Sequence, residues 1–136
     1  MESMFMNTRN RWIIAFTLLA FVSVFILPSM PQSLDYHNFA DHRHAYGIEN
    51  FLDVVSNLGF LLAGIIGLII VFSGRARFEF AGERWPFAIF FLGVLLTALG
   101  SGYYHLAPDN ETLFWDRLPM TVAFMALVSS QIVDRI

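Results

Sequence analysis

The chain is 136 residues long, 57% hydrophobic and 16% aromatic, with a net charge of −3 and a mean hydropathy of +0.60. Charged residues make up only 14% of it, against ~25% in ordinary soluble domains, so the composition reads as an integral membrane protein. The absence of cysteine excludes disulfides, a cysteine nucleophile and a thiolate metal site, and the lack of any basic block argues against a nucleic-acid partner.

Residues 1–11 form a short polar start containing Arg9 and Arg11. The uncharged run from Trp12 to Leu27 follows and stops at Pro28. It is short for a span of ~20 residues, and basic residues ahead of an apolar run also describe a signal peptide. No small-x-small pattern occurs in Pro28-Ser29-Met30-Pro31-Gln32-Ser33, so an uncleaved anchor or first helix is expected. Residues 28–50 form a polar loop with Asp35, Tyr36, His37, Asn38, Asp41, His42, Arg43, His44, Glu49 and Asn50.

The second span runs from Phe51 to Phe72, with Asp53, Ser56 and Asn57 in its first two turns. Gly59, Ala63 and Gly67 recur every fourth residue, a stripe of the kind that lets a second helix approach closely in lipid. Arg75, Arg77 and Arg84 lie in the loop 73–85, and Pro86 to about Tyr104 is the third span. The fourth, Leu118 to Val133, is opened by Asp116 as an N-cap, with Pro119 in its first turn. The expected fold is therefore all-α: a polytopic transmembrane helical bundle with four spans, about 12–27, 51–72, 86–104 and 118–133.

All eight basic residues are arginine. Arg9, Arg11, Arg75, Arg77, Arg84 and Arg135 fall on one side of this topology, and only Arg43 and Arg117 on the other. That asymmetry places the N-terminus in the cytoplasm and the chain in the inner or plasma membrane, with Trp12, Trp85 and Trp115 at span ends.

Because consecutive spans alternate in direction, Asp53, Ser56 and Asn57, then Ser101 and His105, then Asp116 all reach the non-cytoplasmic face. All four histidines of the chain share that side. Ser101 and His105 are four residues apart and share one helix face, with Thr97 a turn earlier. Each group has an ordinary structural role open to it. Asp53 and Asp116 suit helix caps, Asn57 a polar link between helices, Ser101 a bond to the preceding turn, and His105 an interfacial position. Their convergence at one membrane face is what points to a site, because ionisable groups at span ends are costly.

Ser101-x-x-x-His105, followed by Asp116-x-Leu118-Pro119-Met120, resembles the pattern of the alkaline ceramidases within the wider CREST group of membrane hydrolases. Asn50-Phe51-Leu52-Asp53-Val54-Val55-Ser56-Asn57 resembles that family's first core helix. The resemblance covers roughly residues 35–133, which divides the chain into an N-terminal tail with an extra span (1–34) and a partial ceramidase-like domain (35–136). It implies a zinc-dependent amidase of sphingolipid metabolism, with a ceramide-like lipid amide entering from the bilayer. By the same resemblance His105 binds zinc, Ser101 holds the oxyanion, and Asp116 orients or deprotonates the zinc-bound water. The chemistry is coherent, since a Lewis-acid metal lowers the pKa of bound water from ~15.7 to ~7 and a fixed donor stabilises the tetrahedral oxyanion. The resemblance extends to a calcium site in the region of Asp35, Asn38, Asp41, Glu49 and Asn50, where the spacing departs from the family's.

Other departures bear on activity. The family's remaining zinc ligands form a His-x-x-x-His pair late in a core of about seven spans, no such pair occurs here, and a catalytic zinc usually takes three protein ligands. Arg117 also stands where ceramidases commonly carry glutamate. The sequence thus leaves open a zinc amidohydrolase of which this is the N-terminal portion, and a non-catalytic membrane remnant or accessory subunit. A small transporter or proton-conducting bundle, suggested by the Asp and His residues at one face, is a third reading.

Overall fold

The computed structural model describes residues 8–28, 30–39 and 41–133, which form helices and connecting loops with no strand among them. They fall into two compact units, Met1–Pro31 and Gln32–Ile136. Arg135, counted above in the charge asymmetry, lies outside the described residues.

The first unit contains α1, Thr8–Ile26. Its hydroxyls turn back onto the helix, Thr17 donating to the Ile13 carbonyl at 2.8 Å and Ser23 to that of Ala20 at 2.7 Å. That satisfies them without water or a partner. Aromatic rings pair along its length, Trp12 with Phe16 and Phe21 with Phe25.

The second unit begins with a loop holding one 3-10 turn, Leu34–His37, and a tight turn in which Ala45 and Ile48 exchange backbone hydrogen bonds. Tyr46 (φ 55°) and Gly47 (φ 80°) both take positive φ there, as primed two-residue turns require. Then come α2 (Phe51–Ser56) and α3 (Leu58–Phe72), which form one helical run of 22 residues, followed by α4 (Arg84–Leu106) and α5 (Asn110–Val133). The α2–α3 run and α4 are long and apolar enough to cross a membrane. In α1 the apolar stretch is the shorter Asn10–Ser23. The first two turns of α5 hold Asn110, Glu111, Asp116 and Arg117.

Two sequence expectations are corrected by α5. The helix starts two turns before Leu118, and its cap is Asp109, whose carboxylate accepts the Glu111 and Thr112 N–H groups at 2.8 and 2.7 Å. Thr112 replies, its hydroxyl accepting the Asp109 N–H at 3.1 Å, so two otherwise orphaned donors are met reciprocally. Asp116 is therefore an interior residue of α5, and Pro119 lies within the helix rather than in its first turn. Proline lacks the N–H that would bond four residues back, which leaves the Trp115 carbonyl without that intrahelical partner.

The unit is organised around α4, which packs against α3 on one side and α5 on the other. Small residues make both contacts. A Cβ on Gly64 would lie 2.6 Å from that of Leu95, and one on Gly67 would collide with the Phe91 ring. On the opposite face a Cβ on Gly93 would come within 2.9 Å of Ala123, and one on Gly100 would run into the Trp115 carbonyl. The expected Gly59–Ala63–Gly67 stripe is divided: Gly67 is buried against Phe91, while Gly59 and Ala63 lie on the exposed surface. Helical geometry explains the split, because 3.6 residues per turn rotates a four-residue repeat by ~40° per step. The i,i+3 pair Gly64 and Gly67 keeps to the α4 face.

The interior is small and the exterior large. Gly64, Gly67, Ala88, Gly93, Ala98, Ala123, Ala126 and Ser130 are buried, whereas Leu58, Phe60, Leu62, Ile66, Leu99 and Phe124 are exposed. Ser130, at 2% exposure, is the most enclosed side chain, and its hydroxyl donates to the Leu127 carbonyl.

Adding a methyl group at Gly64 or Gly100 forces backbone apart, and overpacking of this kind costs about 1–3 kcal/mol. Gly64→Ala and Gly100→Ala are expected to lower the unfolding midpoint of the detergent-solubilised protein. Gly59→Ala and Gly102→Ala, whose added Cβ meets nothing within 4 Å, are expected to leave it unchanged. Equal midpoints for all four variants would refute close packing around α4.

Candidate functional site at one end of the helices

Four segments meet at the end of the unit where α2 begins, α4 ends and α5 begins. Gly100 sets the level of the two long helices. Its missing side chain lets α4 rest on the Trp115 carbonyl, and a Cβ there would stand 3.4 Å from the Asp116 Cα. Ser101, the next residue, is buried at that height, and so is Asp116 at 9% exposure. Asp116 Oδ1 is enclosed and has no hydrogen-bond partner. An unpaired buried carboxylate oxygen is costly, which marks this atom out among the acceptors of the site.

His105 lies one turn beyond Ser101, rotated toward α2. Its Nδ1 is enclosed, without a hydrogen-bond partner, and stands 4.0 Å from Asp53 Oδ2. Asn50 holds the end of α4 in place by donating Nδ2 to the His105 carbonyl at 2.9 Å. The Phe39 ring covers the imidazole at a centroid distance of 4.6 Å. Asn57 is buried and, like Ser56, donates to the Asp53 carbonyl, at 2.9 and 2.8 Å respectively. These two side chains therefore shape the α2–α3 junction from within their own helix. Beside it, an apolar groove of about 330 Å³ runs between Val54, Asn57, Leu58 and Leu61 on one wall and Ala98, Leu99, Gly102, Tyr103 and Leu106 on the other.

Tyr104 occupies the opposite side of the same turn. It is 4% exposed, and its hydroxyl is bonded to His37 Nδ1 at 2.9 Å. Tyr36, Asp116, Arg117 and Asp109 all lie within electrostatic reach of that hydroxyl. His37 Nε2 is the third enclosed atom without a partner. Arg117 donates Nη2 to the Tyr36 hydroxyl at 3.0 Å and stands over the Tyr36 ring at 5.4 Å. Gln32 and Asn110 exchange two hydrogen bonds, at 2.7 and 3.2 Å. The loop is thus strapped across the ends of α4 and α5 at four places.

Of the residues expected from sequence, Asp53 and His105 are brought together, and Ser101 and Asp116 are brought to one level. In the region proposed for calcium, Asp41 accepts the Leu52 N–H at 2.9 Å and pairs with Arg43 at 3.8 Å, at the start of α2, and Asn50 donates Nδ2 to the His105 carbonyl. Asp35, Asn38 and Glu49 are exposed, as are His42 and His44. Sequence reasoning missed Tyr104 and Phe39 and left Tyr36 and His37 as polar loop residues among several. For Tyr104 a signal existed, because position i+3 from Ser101 falls on the face that meets α5. No local pattern announces the His37 contact, which joins residues 67 apart. The Asp109 cap was legible as Asp-x-x-Thr ahead of a helical run.

Among the described residues no group of three or more His, Asp or Glu side chains is placed to hold a metal ion. His105 Nδ1, with Asp53 beside it, is one imidazole donor where a catalytic zinc usually takes three protein ligands. These residues alone do not fit a complete zinc centre. Comparison with family models, curated proteins and solved structures returns no match.

The Asp109 carboxyl is held below the usual carboxylate range, first by the Thr112 N–H, then by the Thr112 hydroxyl and the Glu111 N–H. A pKa lower in the folded than in the unfolded chain gives stability that is present above the unfolded value and lost as pH falls through the folded one. Wild type is therefore expected to lose more stability on acidification below the carboxylate range than Asp109→Ala, and identical pH profiles would exclude the cap as a contributor. The strap makes a separate prediction. Tyr104→Phe removes the His37 bond and should raise hydrogen exchange across residues 32–50, with α3 unaffected.

Proposed function

We propose that the chain is the ceramidase-like part of a membrane-embedded hydrolase acting on the amide bond of long-chain lipids. In this reading α1, the α2–α3 run, α4 and α5 each cross the bilayer, with the N-terminus in the cytoplasm and the site at the opposite face. The large exposed apolar side chains around a Gly/Ala/Ser interior support it, because helices in lipid associate through small residues and turn large ones outward. So does the resemblance of the Ser101, His105 and Asp116 motifs. The observation that carries the chemistry is Asp116: buried, with one oxygen unpartnered, at the level of Ser101.

In the reaction a water attacks the amide carbonyl, the C–N bond breaks, and a fatty acid and an amine leave. Asp116 accepts the proton of that water and returns one to the departing nitrogen. The Ser101 hydroxyl donates to the oxyanion as it forms. Burial strengthens both interactions, since neither competes with bulk water. If zinc is bound, His105 would be one of its ligands, and the metal would supply Lewis-acid activation of the water. A non-catalytic membrane partner is the second reading, favoured by the incomplete set of ligands.

Zinc and hydrolysis separate the two. Protein purified in detergent is expected to carry near-stoichiometric zinc, and His105→Ala to lose it. Hydrolysis of a fluorescent N-acyl lipid should fall about 100-fold or more in Asp116→Asn and Ser101→Ala, the scale set by removing an oxyanion donor or general base. Background zinc with no hydrolysis in every sample would sink the hydrolase and leave the membrane partner.

Topology has its own test, because the chain lacks cysteine and a single introduced one reports alone. Tyr46→Cys, at the 94% exposed turn, should react with an impermeant maleimide added outside intact cells. Arg77→Cys should react only after lysis. The reverse labelling would invert the proposed orientation.

A further inference from the structure

At the end of the unit away from the candidate site, α3 and α4 are joined by the loop 73–85, which holds Arg75, Arg77 and Arg84. The loop is folded rather than open. Gly74 leaves α3 with a positive φ of 74°, a common way for a helix to end. The Ser73 and Ala76 N–H groups return to the Ile69 and Ile70 carbonyls, and the Glu83 and Trp85 N–H groups to those of Phe80 and Gly82. Glu83 is buried, and its Oε2 accepts the Glu79 N–H at 2.8 Å, so this carboxylate serves the loop's own backbone. Glu79 is left as the segment's one exposed acid. The three arginines are exposed, and among the described residues no carboxylate stands within ion-pair distance of any of them.

Aromatic rings lie among these cations. Trp85 packs edge-on against Phe72 at 6.3 Å, which sets the start of α4 beside the end of α3. The Arg84 guanidinium stands over the same indole at 5.7 Å. Phe72, Phe80 and Trp85 are all exposed. Amphipathic rings at span ends prefer the headgroup level of a bilayer, and guanidinium forks match phosphate oxygens. Arginines on the cytoplasmic side also have a purely topological role. That role depends on the number of charges, however, and calls for neither a folded loop, nor an inward-turned Glu83, nor Arg84 stacked on a ring. The chain as a whole carries −3, so attraction of an anionic lipid has to come from a local cluster.

We propose that the loop 73–85 binds the headgroup of an anionic glycerophospholipid, with Arg75, Arg77 and Arg84 pairing its phosphate and Phe80 and Trp85 lying against its glycerol and upper acyl chains. A zwitterionic headgroup carries its own cation beside the phosphate, so selectivity is for charge that is not already compensated. The proposal rests on the reading of the α2–α3 run and α4 as membrane spans. It is independent of the hydrolase chemistry, which lies at the other end of α4.

The experiment is thermal unfolding of the full chain in neutral detergent micelles, because a ligand that binds only the folded state raises the midpoint. Dioleoyl phosphatidylglycerol is compared with dioleoyl phosphatidylcholine and with inorganic phosphate. Phosphatidylglycerol is expected to raise the midpoint, and the other two to leave it unchanged. Each arginine replaced by glutamine should weaken phosphatidylglycerol binding about fivefold, the scale of one basic side chain's attraction to an anionic lipid surface. Combining Arg75→Gln, Arg77→Gln and Arg84→Gln should abolish the shift, while Arg11→Gln, outside the loop, should keep it. The lipid-free midpoint shows whether the combined variant folds. The shift in the unaltered protein should also shrink as salt is raised, which needs no variant. Equal shifts with both lipids, an equal shift with inorganic phosphate, or a phosphatidylglycerol shift that survives the combined variant overturns the proposal. Retention of the protein in the membrane pellet through an alkaline carbonate wash tests the spans separately. Release there overturns the membrane reading and the proposal together, whereas retention without a lipid-selective shift overturns the proposal alone.

Discussion

Everything at the site depends on how closely α4 approaches its neighbours. Gly64 and Gly67 admit it on one side, Gly93 and Gly100 on the other, and each removes a side chain that would otherwise hold the backbones apart. Attraction at such distances comes from dispersion summed over many atoms, and it has the merit of precision: a helix resting on another's backbone has little freedom to slide. The Gly100 contact shows what that precision achieves. It places α4 on the carbonyl of Trp115, the group that Pro119 leaves without an intrahelical donor, and so fixes Ser101 and Asp116 at the same height. A residue missing its side chain and a residue missing its amide hydrogen thus meet at a single point.

Around that point, polar groups sort into two sides of one helical turn. His105 looks toward α2 and Asp53, under the ring of Phe39. Tyr104 looks toward α5 and the loop, bonded to His37. Successive residues on a helix differ by ~100° in direction, so two neighbouring positions serve two interfaces. The result is an end of the bundle where enclosed nitrogen and oxygen atoms lack partners while the backbone around them is well satisfied. A fold that has arranged caps, turns and back-bonds elsewhere has left its unmet capacity in one place.

The helical class, the two long apolar spans and the clustering of Asp53, His105, Ser101 and Asp116 toward one end were legible in the sequence, because hydropathy runs and alternating direction constrain them directly. The start of α5 was not. A search for apolar residues begins a helix where the apolar residues begin, whereas the backbone begins it where its first N–H groups find acceptors, at Asp109 and Thr112. The glycine stripe misled for a related reason. Counting by fours ignores the drift that sends Gly59 and Ala63 away from the face holding Gly67. The strap was beyond local reading altogether, since each of its anchors pairs a loop residue with a group in a helix made much later.

That last feature implies a chronology. The groups that pin the loop lie 55 to 81 residues downstream of it, so during synthesis Tyr36, His37 and Phe39 emerge well before Tyr104, His105, Asn110 and Arg117 exist. The loop has no way to close until α4 and α5 have paired, and distant contacts of this kind are slow to form because the chain between them must first be ordered. Closure of the strap therefore marks the end of assembly. A nascent chain stalled before α5 would carry an open loop whose anchoring partners do not yet exist.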